Sequence, residues 1–228
     1  MDKCWVYVTA SGAAPDALST ALLARAQQLS RENELELEAV IVGEGCKAAA
    51  ESLASGGIQK VFYADISGLN PCEHERISAI LEPLVLQHQP EIFLFPAGDS
   101  ASQVASALGV KLGTGVNVHC VTADIRDGIF IGSVPAFGGQ VMSEILCPVK
   151  RPQMATVRLS GGALQAGKAG TAVSFAESAP EVPGLELLSC SAEEKSGPSL
   201  SDASFVLCGG AGLGDHDGWL MMRKLAER

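Results

Sequence analysis

Up to about residue 110, short apolar runs alternate with longer segments in which apolar residues recur every three or four positions. Residues 4–9 form a continuous apolar run, rich in aromatic and β-branched side chains, which reads as a strand covered on both faces. In residues 15–29, Leu18, Ala21, Leu22, Ala24, Ala26 and Leu29 fall at helical spacing. Residues 35–42 predict a second strand closed by Gly43, and residues 46–53 a short Ala-rich helix stopped by Gly56-Gly57. A third strand is expected over residues 60–63. A helix is expected over 71–87, with Asn70 as its cap and Pro71 at its first position. Residues 92–95 read as the fourth strand. This alternation predicts a parallel sheet with right-handed crossovers, an α/β doubly wound domain.

The texture changes after Val116. Residues 116–125 and 129–134 flank Arg126-Asp-Gly128, and Asp-Gly between apolar runs signals a β-hairpin. Residues 141–147 add a third strand, so a small antiparallel excursion is expected on the parallel domain. Two punctuated corners bracket that third strand. Pro135-Ala-Phe-Gly-Gly139 has adjacent glycines, and Cys147-Pro-Val-Lys-Arg-Pro152 has two prolines that bar a continuous helix. Residues 154–157 then read as another short strand, closed by Arg158. Residues 160–199 are rich in Gly, Ala, Ser, Pro and Glu, with a strand expected at 185–189 and a linker at Glu193-Glu-Lys-Ser-Gly-Pro198. A strand over 203–208, a turn through Gly209, Gly210, Gly212 and Gly214, and a helix over 219–228 close the chain.

The formal net charge of −10 and the scarcity of basic clusters argue against nucleic-acid binding. Seven cysteines are scattered without a C-x-x-C pair, and Cys4, Cys120, Cys147 and Cys208 sit in strand-like runs where a thiol acts as a small hydrophobe. That usage implies a reducing, cytoplasmic setting. The first residues lack the charged-then-apolar pattern of a signal peptide, and no apolar run reaches the ~20 residues of a membrane span.

Candidate chemistry is sparse. After the fourth strand, Gly98 leads into a helix expected near Ser100. The amides there suit an anion, or else Asp99 or Ser100 simply caps the helix. Neither G-x-x-x-x-G-K-[ST] nor G-x-G-x-x-G is present. His74, His88, His119 and His216 are dispersed, the first two in or at the end of a surface helix. Arg151 and Arg158 flank the 154–157 strand and could hold a partner's carboxylate or backbone, or pin their own loop. Phe137 and Met154 read equally as core or contact residues. The glycine turn at 209–214 reads as a phosphate or dinucleotide contact or as a tight turn with no ligand.

The strings Pro135-Ala-Phe-Gly-Gly139 and Arg151-Pro-Gln-Met-Ala-Thr-Val-Arg158 resemble the alpha subunit of electron-transfer flavoproteins, including the nitrogen-fixation-associated type. The resemblance implies a first domain at 1–190 of the adenine-nucleotide alpha-hydrolase-like fold, a linker at 191–202, and at 203–228 the first strand and helix of an incomplete FAD-binding domain. It implies passage of electrons from dehydrogenases to an acceptor through FAD, as a heterodimer with a beta subunit. In this chain the first domain would be mainly scaffold. Phe137, Arg151 and Arg158 would then face the partner. Gly209, Gly210 and Gly212 would match a Gly-Gly-Arg-Gly-Leu string at the start of the FAD domain. Ala211 stands where the family has arginine and offers neither charge nor donor. The strings that hold most FAD contacts in the family do not follow, so the chain is expected to be part of a longer protein and not to hold FAD by itself. The cofactor would carry the redox chemistry, which accords with the absence of a catalytic motif. Two other readings stay open: a stand-alone universal-stress-type adenine-nucleotide module, and a flavin-free interaction subunit.

Overall fold

The structure is a computed structural model that describes residues 2–11, 14–183, 187–191, 200 and 203–227. It divides into two compact units, Met1–Leu187 and Leu188–Arg228.

The first unit is built on strands whose apolar runs are continuous because both faces are covered. In chain order they are β1 (Lys3–Val8), the two-residue pair β2 (Ala10–Ser11) and β3 (Ala14–Pro15), α1 (Ala17–Glu32), β4 (Glu36–Gly43), α2 (Lys47–Ser55), β5 (Lys60–Asp65), α3 (His74–His88), β6 (Ile92–Pro96) and α4 (Asp99–Leu112). Next come β7 (Val116–Cys120), β8 (Asp124–Arg126), β9 (Ile129–Ala136), β10 (Val141–Leu146), β11 (Gln153–Val157) and β12 (Thr171–Ser174). Seven strands form a parallel sheet in the order β12-β5-β4-β1-β6-β11-β7. The doubly wound α/β fold expected from the apolar pattern is therefore present. One core layer, including Leu22, Leu53, Ile92 and Phe130, lies with α1 and α2; the other, including Trp5, Phe62, Leu81 and Val104, lies with α3 and α4.

Local chemistry sets the helix ends. Asp16 caps α1 by accepting from the Ser19 amide at 2.7 Å. Gly109 lets α4 lie against β7, since a Cβ there would sit 2.6 Å from Val116 Cγ2.

The structure corrects several expectations. Helix α3 begins at His74, not residue 71, because the Asn70 side chain accepts from the Cys72 amide in a tight turn. Gly98 occupies the cap position of α4 without a side-chain bond, so neither Asp99 nor Ser100 caps it; the Ser100 hydroxyl donates instead to the Pro71 carbonyl. The run 116–125 is not one hairpin arm. Its first part, β7, is an edge of the parallel sheet, and only β8 pairs with β9. Asp127 and Gly128, at φ 51° and 75°, make the turn between β8 and β9 as the Asp-Gly signal implies. β12 was not foreseen: it adds to the opposite edge of the sheet, alongside β5.

The second unit contains α5 (His216–Ala226), where a helix was expected. Residues 203–208 are not in a strand, and Cys208 is exposed, not buried in one. Of the strand expected at 185–189, residues 187–189 are irregular, and 185 and 186 lie outside the described residues, as does most of 191–202. No described residue of α5 is buried. No helix is long and apolar enough to cross a membrane among the described residues.

Candidate functional site

The antiparallel sheet β10-β9-β8 forms a lip on the parallel sheet. Its attachment begins with Gln153, which sits in an apolar strand at 1% exposure. The Gln153 side chain accepts from the Phe130 amide at 2.8 Å and donates to the Gly128 carbonyl at 3.0 Å, clipping β9 and its turn to β11. Asn117 on β7 donates to the Ile145 carbonyl of β10 at 2.9 Å, and the buried Thr156 hydroxyl accepts from the His119 amide at 2.9 Å. Ile125 and Phe130 join the core of the domain, and the adjacent Ile131 is buried as well. Gly132 makes room for Cys120, whose Sγ would lie 2.3 Å from any Cβ there; burial pushes the Cys120 thiol up to about 11.

The outer strand differs. β10 is paired with β9 on one side only among the described residues. Val141, Met142, Ile145 and Leu146 are 38–51% exposed, and the flanking Phe137 and Val149 reach 81% and 83%. Arg126 on β8 reaches across β9 to make two bonds with Glu144, at 2.8 and 3.1 Å, and this pairing raises the Arg126 pKa further above its ordinary value. An exposed apolar strand edge invites strand or side-chain docking.

The expected partner residues do not converge. Phe137, at φ 50°, occupies the corner between β9 and β10. Arg151 lies before β11, where its guanidinium bonds Glu91 and donates to the Pro148 and Lys150 carbonyls. Arg158 lies after β11, about 20 Å from Arg151 at strand spacing, and donates to the Ala97 carbonyl at 3.2 Å. Both arginines thus hold their own chain. Met154 is core, at 1% exposure. His88 is not simply solvated: its ring packs on Trp5 and Phe62, with centroids 5.8 and 4.8 Å away. Gln153, Asn117 and the exposed apolar side chains of β10 were not singled out by sequence reasoning. The signal for Gln153 was a lone amide within a strand otherwise fit for burial.

In the second unit, a side chain at Gly209 would strike Met222 and Leu213, so internal packing accounts for that glycine. Gly210 and Gly212 face open space, where backbone could approach a ligand closely. Asp215 caps α5 by accepting from the Asp217 and Gly218 amides, and Asp217 adds a second negative charge to its first turn. That helix start is already satisfied and disfavours a phosphate. With Ala211 supplying no positive charge, the described residues of this unit do not by themselves fit a dinucleotide.

The first unit is thus a covered parallel sheet carrying an antiparallel lip. Residues 4–180 match the electron transfer flavoprotein domain, and the chain belongs to that family. It is 27% identical to the electron transfer flavoprotein subunit alpha of Thermoanaerobacterium thermosaccharolyticum, over 98% of this chain and 69% of that protein. It is 30% identical to the subunit of the same name from Clostridium acetobutylicum, over 68% of this chain and 46% of that protein. Protein FixB of Bradyrhizobium diazoefficiens is 29% identical over 97% of this chain and 63% of its own length. The chain thus spans between about half and about two thirds of the length of these curated relatives.

Proposed function

We propose that the chain is the platform part of an electron-transfer flavoprotein alpha-type subunit, docking a beta subunit through the lip. The observation that carries the docking surface is the one-sided, apolar β10 beside Phe137. Burying Val141, Met142, Ile145 and Leu146 against a partner would remove apolar surface from water, and the free strand edge could take up backbone bonds. Arg151 and Arg158 act on this surface indirectly, by fixing the chain at each end of β11.

In the intact protein FAD would carry electrons from a dehydrogenase to an acceptor, with Gly210 and Gly212 allowing close backbone approach to it. Family membership supports the cofactor, and the room at these two glycines is compatible with it. The domain arrangement at 1–190, 191–202 and 203–228 belongs to the same reading. The seven free thiols, three of them buried, suit a reducing compartment such as the cytoplasm.

The experiment is a titration of the intact alpha subunit with its beta subunit. Met142→Lys with Ile145→Lys should weaken association by about 100-fold, because two charges would be desolvated in an apolar contact. Arg151→Ala and Arg158→Ala should each weaken it by about 3- to 10-fold. Unchanged affinity in the double lysine variant would reject the lip as the docking surface.

A further inference from the structure

One end of the lip is held twice. Ile131, near the start of β9, pairs with Leu146, the last residue of β10, so the beginning of one strand and the end of the other lie side by side. Gln153 clips the start of β9 through the Phe130 amide and the Gly128 carbonyl. Arg151 holds the loop that leaves β10, through the Pro148 and Lys150 carbonyls.

The two clips meet on one oxygen. Glu91 Oε1 accepts from the Arg151 guanidinium, and the Gln153 side-chain amide donates to the same atom at 3.4 Å. That amide has two hydrogens, so Gln153 serves Glu91 and the Gly128 carbonyl together. Glu91 itself belongs to the parallel sheet, just before β6. Its amide donates to the Lys3 carbonyl at 3.0 Å, and its carbonyl accepts from the Gln153 backbone amide at 2.9 Å. A carboxylate whose backbone is tied on both sides therefore joins two attachments that no bond of their own connects. The side chains of Arg151 and Glu91 are 38% and 27% exposed, and a pair so open to water adds little to stability. Its position is the more informative property.

We propose that Glu91 is the positioning residue of the lip. It locks the start of β9 to the exit of β10 and so sets the pose in which β10 meets the beta subunit. The proposal rests on the lip as the docking surface. Because both clips share one oxygen they act as a unit, and losing one loosens the other. Asn117, which holds the Ile145 carbonyl from β7, makes no bond with Glu91 and acts separately.

The test reads the Phe130 amide by hydrogen exchange in the full chain, and affinity for the beta subunit in the intact alpha subunit. Glu91→Ala should speed Phe130 exchange by about tenfold. Arg151→Ala should speed it by about threefold, although its own bonds lie in the loop after β10, and should add nothing once residue 91 is alanine. Association should weaken by about tenfold in Glu91→Ala. Glu91→Gln keeps an acceptor oxygen and should recover most of that loss, while Asn117→Ala should add its own loss to that of Glu91→Ala. Arg151→Ala carries the exchange test if Glu91→Ala proves unstable. An unchanged Phe130 rate, or Glu91→Ala and Arg151→Ala effects that simply add, would overturn the shared clamp. Glu91→Gln binding as weakly as Glu91→Ala would overturn it too. Full affinity in Glu91→Ala, with weak binding by the Met142→Lys and Ile145→Lys double variant, would overturn the positioning role alone. Full affinity in both would reject the docking surface, and this role with it.

Discussion

β10 and β11 follow one another in the chain, are six and five residues long, and are both largely apolar, yet they end in opposite environments. Every residue of β11 is buried, between β6 and β7. Every residue of β10 is exposed or half-exposed, and one edge of the strand is unpaired among the described residues. The six residues between them, 147–152, carry two prolines and Arg151 tied to Glu91, which turn the chain from the lip back into the sheet. Apolar composition therefore makes a strand in both cases, but the pairing decides whether its side chains build a core or a surface for another molecule. Stability should reside in β11 and association in β10.

The largest effect that would sharpen this contrast is at Met154. Met154→Ala removes a fully packed side chain and should cost about 2–5 kcal/mol, read as a drop in the urea midpoint. Gln153→Ala should cost about 2–4 kcal/mol, because the Phe130 amide and the Gly128 carbonyl both lose their buried partner. It should also loosen the lip, so limited proteolysis should begin within residues 124–146. Ile145→Ala should change the stability of the isolated chain by less than about 1 kcal/mol while weakening association with the beta subunit. A large loss of stability from Ile145→Ala would break the contrast.

The smallest expected effect serves as a control away from both strands. Burial first, then the nearby Lys3 and Lys60, hold the His88 pKa below its ordinary value of 6.5, against the opposing pull of Glu38. The unfolded chain therefore takes up a proton that the folded chain resists. Stability should be full above the ordinary histidine pKa and decline slightly as pH falls through 6.5 toward the lower folded value. Because the ring is only half-buried, against Trp5 and Phe62, screening keeps this small. Urea midpoints at about pH 7.5 and pH 5.5 should differ less in His88→Gln than in the original chain.

The parallel sheet was legible because its strands are continuous apolar runs and its helices keep their period; β1, β4, β5 and β6 could be read from the residues alone. Where pairing overrode pattern, the reading failed. Residues 116–125 look like one arm of a hairpin, but β7 is captured by β11 and only three residues remain for β8. β12 is four residues in a segment rich in glycine and alanine, and it is a strand only because β5 offers it an edge. Residues 203–208 have strand-like composition and no strand partner among the described residues. At the candidate site, the corner at Phe137 and the motif around β11 stood out in the sequence. The work of Gln153 did not, since nothing local shows that a glutamine in a buried strand meets a turn 25 residues earlier.

The central claim, that β10 is the surface that receives the beta subunit, is tested most directly by amide hydrogen exchange on the intact alpha subunit with and without that partner. The account predicts that exchange slows in a peptide covering residues 141–146 when the beta subunit binds, while 153–157 is protected equally in both states. Binding that leaves 141–146 exchanging at its free rate would contradict it.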